Sequence, residues 1–237
     1  MEKYKVYNLM IIDRSSSMSS VRDQTISGLN EQVQSMKLSQ KEHDDQEQIA
    51  SLVLFDSSVD HEIMWNKKVG DIEDFDRDSY SPRGCTALYD AVGASIHKLR
   101  EEIKDDLKER KVSVVVTILT DGEENSSRHF NGKQISSLVS EIQETGQWTV
   151  SFVGCGDNVF DVAKSMGINR GNTMCYVATQ EGTTSAFNKM AEARSVYSTN
   201  ISRCLSENVG MDSVQKGFYD DGVDDIENLG DVEDNNK

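Results

Sequence analysis

The sequence predicts an α/β fold: a doubly wound, mostly parallel six-stranded sheet with one antiparallel edge strand and helices on both faces. Apolar runs of strand length alternate with amphipathic runs of helix length in the order β-α-β-β-α-β-α-β-α-β-α, which is typical of doubly wound domains. The most continuous apolar run, VSVVVTILT at 112–120, is rich in β-branched residues, as expected of a strand covered on both faces. The 237 residues suit one such domain, predicted over residues 1–207, and a tail.

The first half of the chain is predicted to contribute three strands and two helices. Residues 4–12 form a largely buried strand, and apolar residues recur at helical spacing over 20–38. Residues 48–55 form the second strand, and a short turn then leads into VDHEIMW, so the third strand is predicted to pair with it as an antiparallel hairpin. An irregular acidic stretch leads to a long helix over 86–110, which carries apolar residues along one face.

The second half continues the alternation of strands and helices. The predicted strands are 112–120, 148–154 and 172–178, and the predicted helices are 131–146, 157–167 and 183–206. Residues 208–237 are predicted to form an acidic, disordered tail. Its part from residue 219 holds six Asp and two Glu against one Lys, with almost no core-forming pattern.

The charge and the composition exclude several classes of function. A formal net charge of −16 argues against binding to nucleic acid, which requires clustered Lys and Arg, and it disfavours an anionic membrane surface. The N-terminal apolar stretch is too short for a signal peptide, and no run approaches the ~18 apolar residues of a membrane-spanning helix. The four cysteines form no CxxC pair. We therefore expect reduced thiols and a cytoplasmic protein.

Three polar clusters follow predicted strands or precede a helix. The first is Asp13-Arg14-Ser15-Ser16-Ser17 after the first strand, the second is Gly84-Cys85-Thr86 before the long helix, and the third is Thr120-Asp121-Gly122 after the most buried strand. In doubly wound sheets, ligands bind at the carboxyl ends of the strands. We therefore expect the three clusters to meet at one edge of the sheet.

The side chains in these clusters offer oxygen ligands. Two carboxylates, two serine hydroxyls and one threonine hydroxyl suit a hard cation, Mg²⁺ first, with Mn²⁺ and Ca²⁺ as alternatives. Alternate residues of an extended turn point the same way, so Asp13, Ser15 and Ser17 can converge on one ion. Because Mg²⁺ usually keeps some waters, an open position can accept a carboxylate from another molecule.

The three motifs together resemble the metal-ion-dependent adhesion site (MIDAS) of von Willebrand factor A domains, which have a Rossmann-like fold. The resemblance rests on D-x-S-x-S after the first strand, a threonine before the long helix and the aspartate of a T-D-G turn, and it covers about residues 4–206. It implies one metal-binding set: Asp13, Ser15, Ser17, Thr86 and Asp121. The three hydroxyls would be direct or near-direct ligands, and the aspartates often act through water.

The resemblance implies a binding module and not an enzyme. The bound cation would coordinate a Glu or Asp of a protein partner, within an intracellular complex such as an AAA+ ATPase or a stress-response assembly. The alternative is a Mg²⁺-dependent phosphohydrolase of similar architecture with Asp13 as its nucleophile. That chemistry needs a second carboxylate and a phosphate-binding lysine close by, and the DRSSSM turn has serine where the second aspartate would stand.

Simpler roles for these residues remain open at this stage. Asp13 and Ser17 could cap the following helix, Thr86 could cap the long helix, and Asp121-Gly122 could form an ordinary turn. Arg14 is expected to be exposed, either attracting an acidic partner or as a plain surface residue. The loop residues Glu123, Glu124 and Asn125 are expected to be solvated, with a binding rim as the alternative. The acidic tail could itself occupy the metal site.

Overall fold

The computed structural model describes residues 3–59, 61–207, 209, 214 and 217–219. Its strands are β1 (Tyr4–Asp13), β2 (Gln46–Phe55), β3 (His61–Lys68), β4 (Val112–Leu119), β5 (Trp148–Cys155) and β6 (Thr173–Tyr176). They form one sheet in the order β3-β2-β1-β4-β5-β6. All neighbouring strands pair in parallel except β3, which runs antiparallel to β2 at the edge. The predicted fold class is confirmed.

Helices cover both faces of the sheet. They are α1 (Arg22–Glu42), α2 (Leu88–Glu102), α3 (Lys104–Glu109), α4 (Gly132–Glu144), α5 (Val159–Ser165) and α6 (Gln180–Glu207). One hydrophobic core lies between the sheet and the α1–α6 pair, and the other lies beneath α2, α4 and α5. Within the described residues, no helix has both the length and the apolar character that crossing a membrane requires.

The long helix predicted over 86–110 is two helices. α2 begins at Leu88 and ends before Ile103, whose φ of −99° and ψ of 15° depart from helical values. α3 then begins at Lys104, and its Asp106 accepts hydrogen bonds from Lys5 Nζ (2.8 Å) and Tyr7 OH (2.8 Å) on β1. The periodic apolar face continues across the break because Ile103 is itself buried, so the pattern alone does not reveal the break.

The boundary predicted between the domain and the acidic tail, after residue 207, stays a prediction, and three described residues beyond it pack on the domain. Val214, Phe218 and Tyr219 are buried and belong to the core beneath α1 and α6. The two aromatic side chains contact each other edge to face, with ring centroids 5.0 Å apart. Residues 220–237 lie outside the described part of the chain.

The packing of α1 on α6 generates a prediction at Gly28. A Cβ at this position would lie 2.1 Å from Cγ of Phe187. A glycine-to-alanine change inside a helix normally stabilises by about 1 kcal/mol, but overpacking a core costs about 1–3 kcal/mol. We therefore expect Gly28→Ala to lower the free energy of unfolding, seen as a lower urea midpoint at an unchanged m-value.

The control for this change is Gly70→Ala, because a Cβ at Gly70 would meet nothing within 4 Å. Its free energy of unfolding should change by less than about 0.5 kcal/mol. A Gly28→Ala protein as stable as wild type would contradict the close contact between α1 and α6.

Candidate functional site

The first and third polar clusters meet at the carboxyl edge of the sheet. Asp13 is the last residue of β1, and Thr120 directly follows β4. The Thr120 hydroxyl donates to Asp13 Oδ2 at 2.6 Å, and the Ser17 hydroxyl donates to Asp121 Oδ1 at 2.7 Å. The two strand ends are therefore joined by direct side-chain hydrogen bonds.

The second cluster reaches the same place through Thr86. An ideal Cβ on Gly122 would lie 3.3 Å from Thr86 Oγ1 and 3.9 Å from Ser17 Oγ, so both hydroxyls line the space beside this glycine. The structure thus brings all five residues of the predicted metal-binding set into one cluster. Their role as metal ligands stays a prediction.

The serine hydroxyls are organised within the first loop. Ser15 Oγ lies 3.0 Å from Ser17 Oγ. Because the hydrogen of Ser17 goes to Asp121, the Ser17 oxygen keeps lone pairs that can accept from Ser15 or bind a cation. The Ser15 amide donates to Asp13 Oδ1 at 2.6 Å. The loop therefore presents a chain of oxygen atoms from Asp13 to Asp121.

The helix-capping alternatives are not supported by the local structure. A 3-10 turn, Ser16–Val21, precedes α1, and its N-cap position is Ser15, which makes no side-chain capping bond. The N-cap of α1 is Val21, and that of α2 is Ala87; neither makes a side-chain capping bond. Ser17 and Thr86 are consequently not N-caps, and their hydroxyls face the cluster.

Burial dominates the electrostatics of the two carboxylates. Asp13 is completely buried, and this desolvation raises its pKa to about 6 despite hydrogen bonds from Thr120 and Ser15. Burial also raises the pKa of Asp121, against the hydrogen bond from Ser17. Both oxygens of Asp13 already accept hydrogen bonds, an arrangement unlike the accessible nucleophile that the phosphohydrolase alternative requires.

Arg14, which we expected to be exposed, is buried. Its Nε and Nη2 donate to Asp56 Oδ2 at 3.1 and 2.8 Å. Burial opposes the charge on Asp56, but hydrogen bonds from the Ser58 amide and from the Arg14 and Arg83 side chains lower the pKa of this carboxyl. The guanidinium of Arg14 therefore ties the first loop to the residue that follows β2.

Backbone hydrogen bonds align the second loop with the first. The Arg83 amide donates to the Arg14 carbonyl at 2.7 Å, and the Ser16 amide donates to the Gly84 carbonyl at 3.1 Å. Gly84 has a φ of +71°, and a Cβ there would lie 2.7 Å from Ser57 Oγ. Only glycine satisfies both conditions, so this residue fixes the path of the chain towards Thr86.

Of the three loop residues that we expected to be solvated, Glu123 and Asn125 are exposed and Glu124 is half-buried. Asn125 and Glu124 also hold the second loop. Asn125 Oδ1 accepts from the Thr86 amide at 3.0 Å, and the Asn125 amide donates to the Thr86 carbonyl at 3.0 Å. Glu124 Oε2 accepts from the Tyr89 amide at 3.0 Å. The sequence offered one usable signal, since Asn and Glu side chains commonly accept from free amides at the start of a helix.

The sequence analysis did not identify Tyr80 and Asp90 as supports of the site. Tyr80 is completely buried, and its hydroxyl donates to the Asp13 carbonyl at 2.6 Å. The carboxylate of Asp90 on α2 accepts the backbone amides of Arg128, His129 and Phe130 at 2.7–2.9 Å. Together they fix the end of β1 and the loop that follows β4.

The donor chemistry decides which cation fits. Over the described residues, no group of three or more His, Cys, Asp or Glu could hold a metal ion, so a site dominated by nitrogen, sulfur or carboxylate ligands is not supported there. The cluster instead combines the buried carboxylate of Asp13 and the half-buried carboxylate of Asp121 with three hydroxyls. This set fits a hard divalent cation, which prefers oxygen ligands and usually keeps water.

A family model described as the von Willebrand factor type A domain matches residues 9–198. No curated protein matches the chain. The structure is similar to that of proximal thread matrix protein 1 from the mussel byssus, with a TM-score of 0.58, 15% sequence identity and coverage of 81% of this chain. This chain spans 46% of that protein.

Further solved structures share the fold. A structure of the same mussel protein described with a zinc-occupied MIDAS motif has a TM-score of 0.51 at 13% identity, covering 80% of this chain and 46% of that one. The von Willebrand factor domain of the type V pili tip protein Mfa5 from Porphyromonas gingivalis has a TM-score of 0.54 at 11% identity, with coverages of 83% and 97%. The SpRpn10 VWA domain has a TM-score of 0.51 at 7% sequence identity, covering 77% of this chain and 93% of that one. At these identities the likeness shows the fold alone.

The role of Asp90 yields a pH-dependent prediction. Although its burial opposes the charge, three backbone amides lower the pKa of Asp90. Stability from this lowered pKa is present above the unfolded value of about 3.9 and is lost as the pH falls through the folded value. We expect Asp90→Asn to lower the free energy of unfolding at pH 7 by about 1–3 kcal/mol, and the gap to wild type to narrow below about pH 4.

Urea titrations of wild type and Asp90→Asn across the acid range measure this gap. The matched control is Asp105→Asn, because Asp105 is 83% exposed and pairs with Lys108; its effect should stay below about 0.5 kcal/mol. A gap for Asp90→Asn that does not change with pH would mean that its charge does not stabilise the loop.

Proposed function

This chain belongs to the von Willebrand factor type A domain family, and we propose that it is a metal-dependent protein-binding module. Domains of this family commonly mediate protein–protein interactions and are typically not enzymes. In the proposal, a divalent cation coordinates a Glu or Asp of a partner protein. Mg²⁺ is the first candidate and Mn²⁺ and Ca²⁺ are the alternatives. The convergence of one buried carboxylate, one half-buried carboxylate and three hydroxyls at one sheet edge carries the proposal.

The hydroxyls and the carboxylates of the cluster have different roles in this proposal. Ser15, Ser17 and Thr86 would hold the cation through hydroxyl oxygens, which carry no formal charge. Asp13 and Asp121 would balance its charge and accept hydrogen bonds from those hydroxyls or from bound water. When bound, a divalent cation supplies a Lewis-acid position for an incoming carboxylate. Because the direct ligands in this proposal are neutral hydroxyls, the cation stays electrophilic towards an incoming carboxylate.

The electrostatics of the cluster support this reading. The amide and hydroxyl donors to Asp13 are neutral, and the nearby Arg14 is bonded to Asp56 instead. Two desolvated carboxylates beside one another are unfavourable without a cation. The zinc-occupied MIDAS named for the mussel protein supports a divalent cation at the corresponding place in the fold.

The partner and the cellular setting are part of the proposal. We infer a protein that presents an accessible carboxylate, within an intracellular assembly such as an AAA+ ATPase or a stress-response complex. Localisation in the cytoplasm stays a prediction.

Metal binding tests the proposal directly. We expect metal-stripped wild type to bind one Mg²⁺ or Mn²⁺ in a calorimetric titration. Ser17→Ala and the isosteric Thr86→Val should weaken binding at least tenfold, or about 1.4 kcal/mol, because each removes one oxygen ligand. Acetate should tighten metal binding, since it would occupy the position meant for the partner.

The matched control is Ser19→Ala, in the same 3-10 turn. The Ser19 hydroxyl is exposed and donates to the Ser16 carbonyl, so its removal should leave metal affinity unchanged. The proposal fails if wild type binds no ion at millimolar concentration, or if Ser17→Ala and Thr86→Val bind as wild type does.

A further inference from the structure

Two arginines share a single carboxylate beside the candidate site. Arg14 donates to Asp56 Oδ2 through Nε and Nη2, and Arg83 donates to the same oxygen through Nε at 3.2 Å. The Arg14 and Asp56 side chains are only 9% and 6% exposed, whereas the Arg83 side chain is 64% exposed. The exposed guanidinium of Arg83 is thus bonded to the buried Arg14–Asp56 ion pair.

The charges of this cluster do not cancel. Arg14 and Arg83 together carry two positive charges, and Asp56 carries one negative charge, which leaves one net positive charge on a chain of net charge −16. Arg14 already uses its Nη2 for Asp56. Among the described residues, the two Nη groups of Arg83 donate to no side chain or carbonyl. These N–H groups are therefore the donors that remain for a ligand.

The position of Arg83 relative to the site is fixed by backbone bonds. Its amide donates to the carbonyl of Arg14 at 2.7 Å, and Arg14 stands between Asp13 and Ser15 in the first loop. Arg83 also precedes Thr86 by three residues, across the constrained Gly84. The backbone of Arg83 is therefore held against the first loop, and its exposed guanidinium lies on Asp56, the residue that follows β2.

We propose that Arg83 is a second anchor for the partner and that the partner motif contains two acidic residues, one for the metal and one for Arg83. This inference rests on the proposed function. A guanidinium recognises carboxylates through two parallel N–H···O bonds. Because Asp56 already orients the Arg83 side chain, less conformational freedom is lost when a second carboxylate binds.

Synthetic acidic peptides test this proposal without knowledge of the natural partner. The probes are capped glycine peptides with one Glu and matched peptides with two Glu separated by one to four glycines, each titrated into Mg²⁺-loaded protein. In wild type we expect the best two-Glu spacing to bind about tenfold more tightly than the one-Glu peptide. Arg83→Gln should remove this advantage while the affinities for Mg²⁺ and for the one-Glu peptide stay unchanged.

Two further variants separate the mechanism from charge alone. Arg203→Gln makes the same change in net charge at an exposed residue near the end of α6, and it should keep the advantage of the second Glu. Arg83→Lys keeps the charge but loses the fork, so we expect an intermediate advantage.

The possible failures are distinguishable. If Mg²⁺ or the one-Glu peptide does not bind, the proposed function fails and this inference fails with it. If the one-Glu peptide binds but no second Glu improves affinity, or if the improvement survives in Arg83→Gln, only the second anchor is overturned.

Discussion

The site depends on the central position of β1, which is paired in parallel on both sides. Asp13 is in register with Phe55 of β2, and Ile12 is in register with Leu119 of β4. β1 and β4 are also where the strand order reverses, so the chain leaves the two strands towards opposite faces and opens a crevice between them. The ladder bonds and the buried faces of β1 therefore set where Asp13 and the loop after β4 stand, before any loop residue contributes.

The fold keeps two carboxylates in this crevice at an energetic cost. Since burial raises the pKa of Asp13 to about 6, above the unfolded value of about 3.9, the metal-free fold loses stability from this group as the pH rises between those values. At neutral pH the ionised carboxyl of Asp13 lowers the free energy of unfolding, and a bound cation would offset this loss. Local strain of this kind, compensated by a well-packed core, is common at binding sites.

The fold and the five clustered residues could be predicted because each produces a pattern within a short stretch of the sequence. Strand and helix periods mark the elements, and polar residues such as Asp13 stand where apolar strands end. The residues that hold the loops of the site in place produce no such local pattern. The contact of Asn125 with Thr86 joins residues 39 positions apart, and the burial of Arg14 depends on Asp56, which is 42 positions away. A charged residue beside a polar loop looks exposed unless its distant partner is known.

These supports brace the second loop from two sides. On one side the Ala87 amide donates to the Asp56 carbonyl at 2.8 Å, and on the other the amide and carbonyl of Thr86 are held by Asn125. A loop held in this way offers the same hydroxyl to a cation whichever partner approaches. A cation held by the oxygen atoms of the cluster would coordinate the carboxylate of any acidic residue, and it would not distinguish one acidic protein from another. In the proposed arrangement, discrimination comes from the exposed guanidinium of Arg83, which requires a second carboxylate.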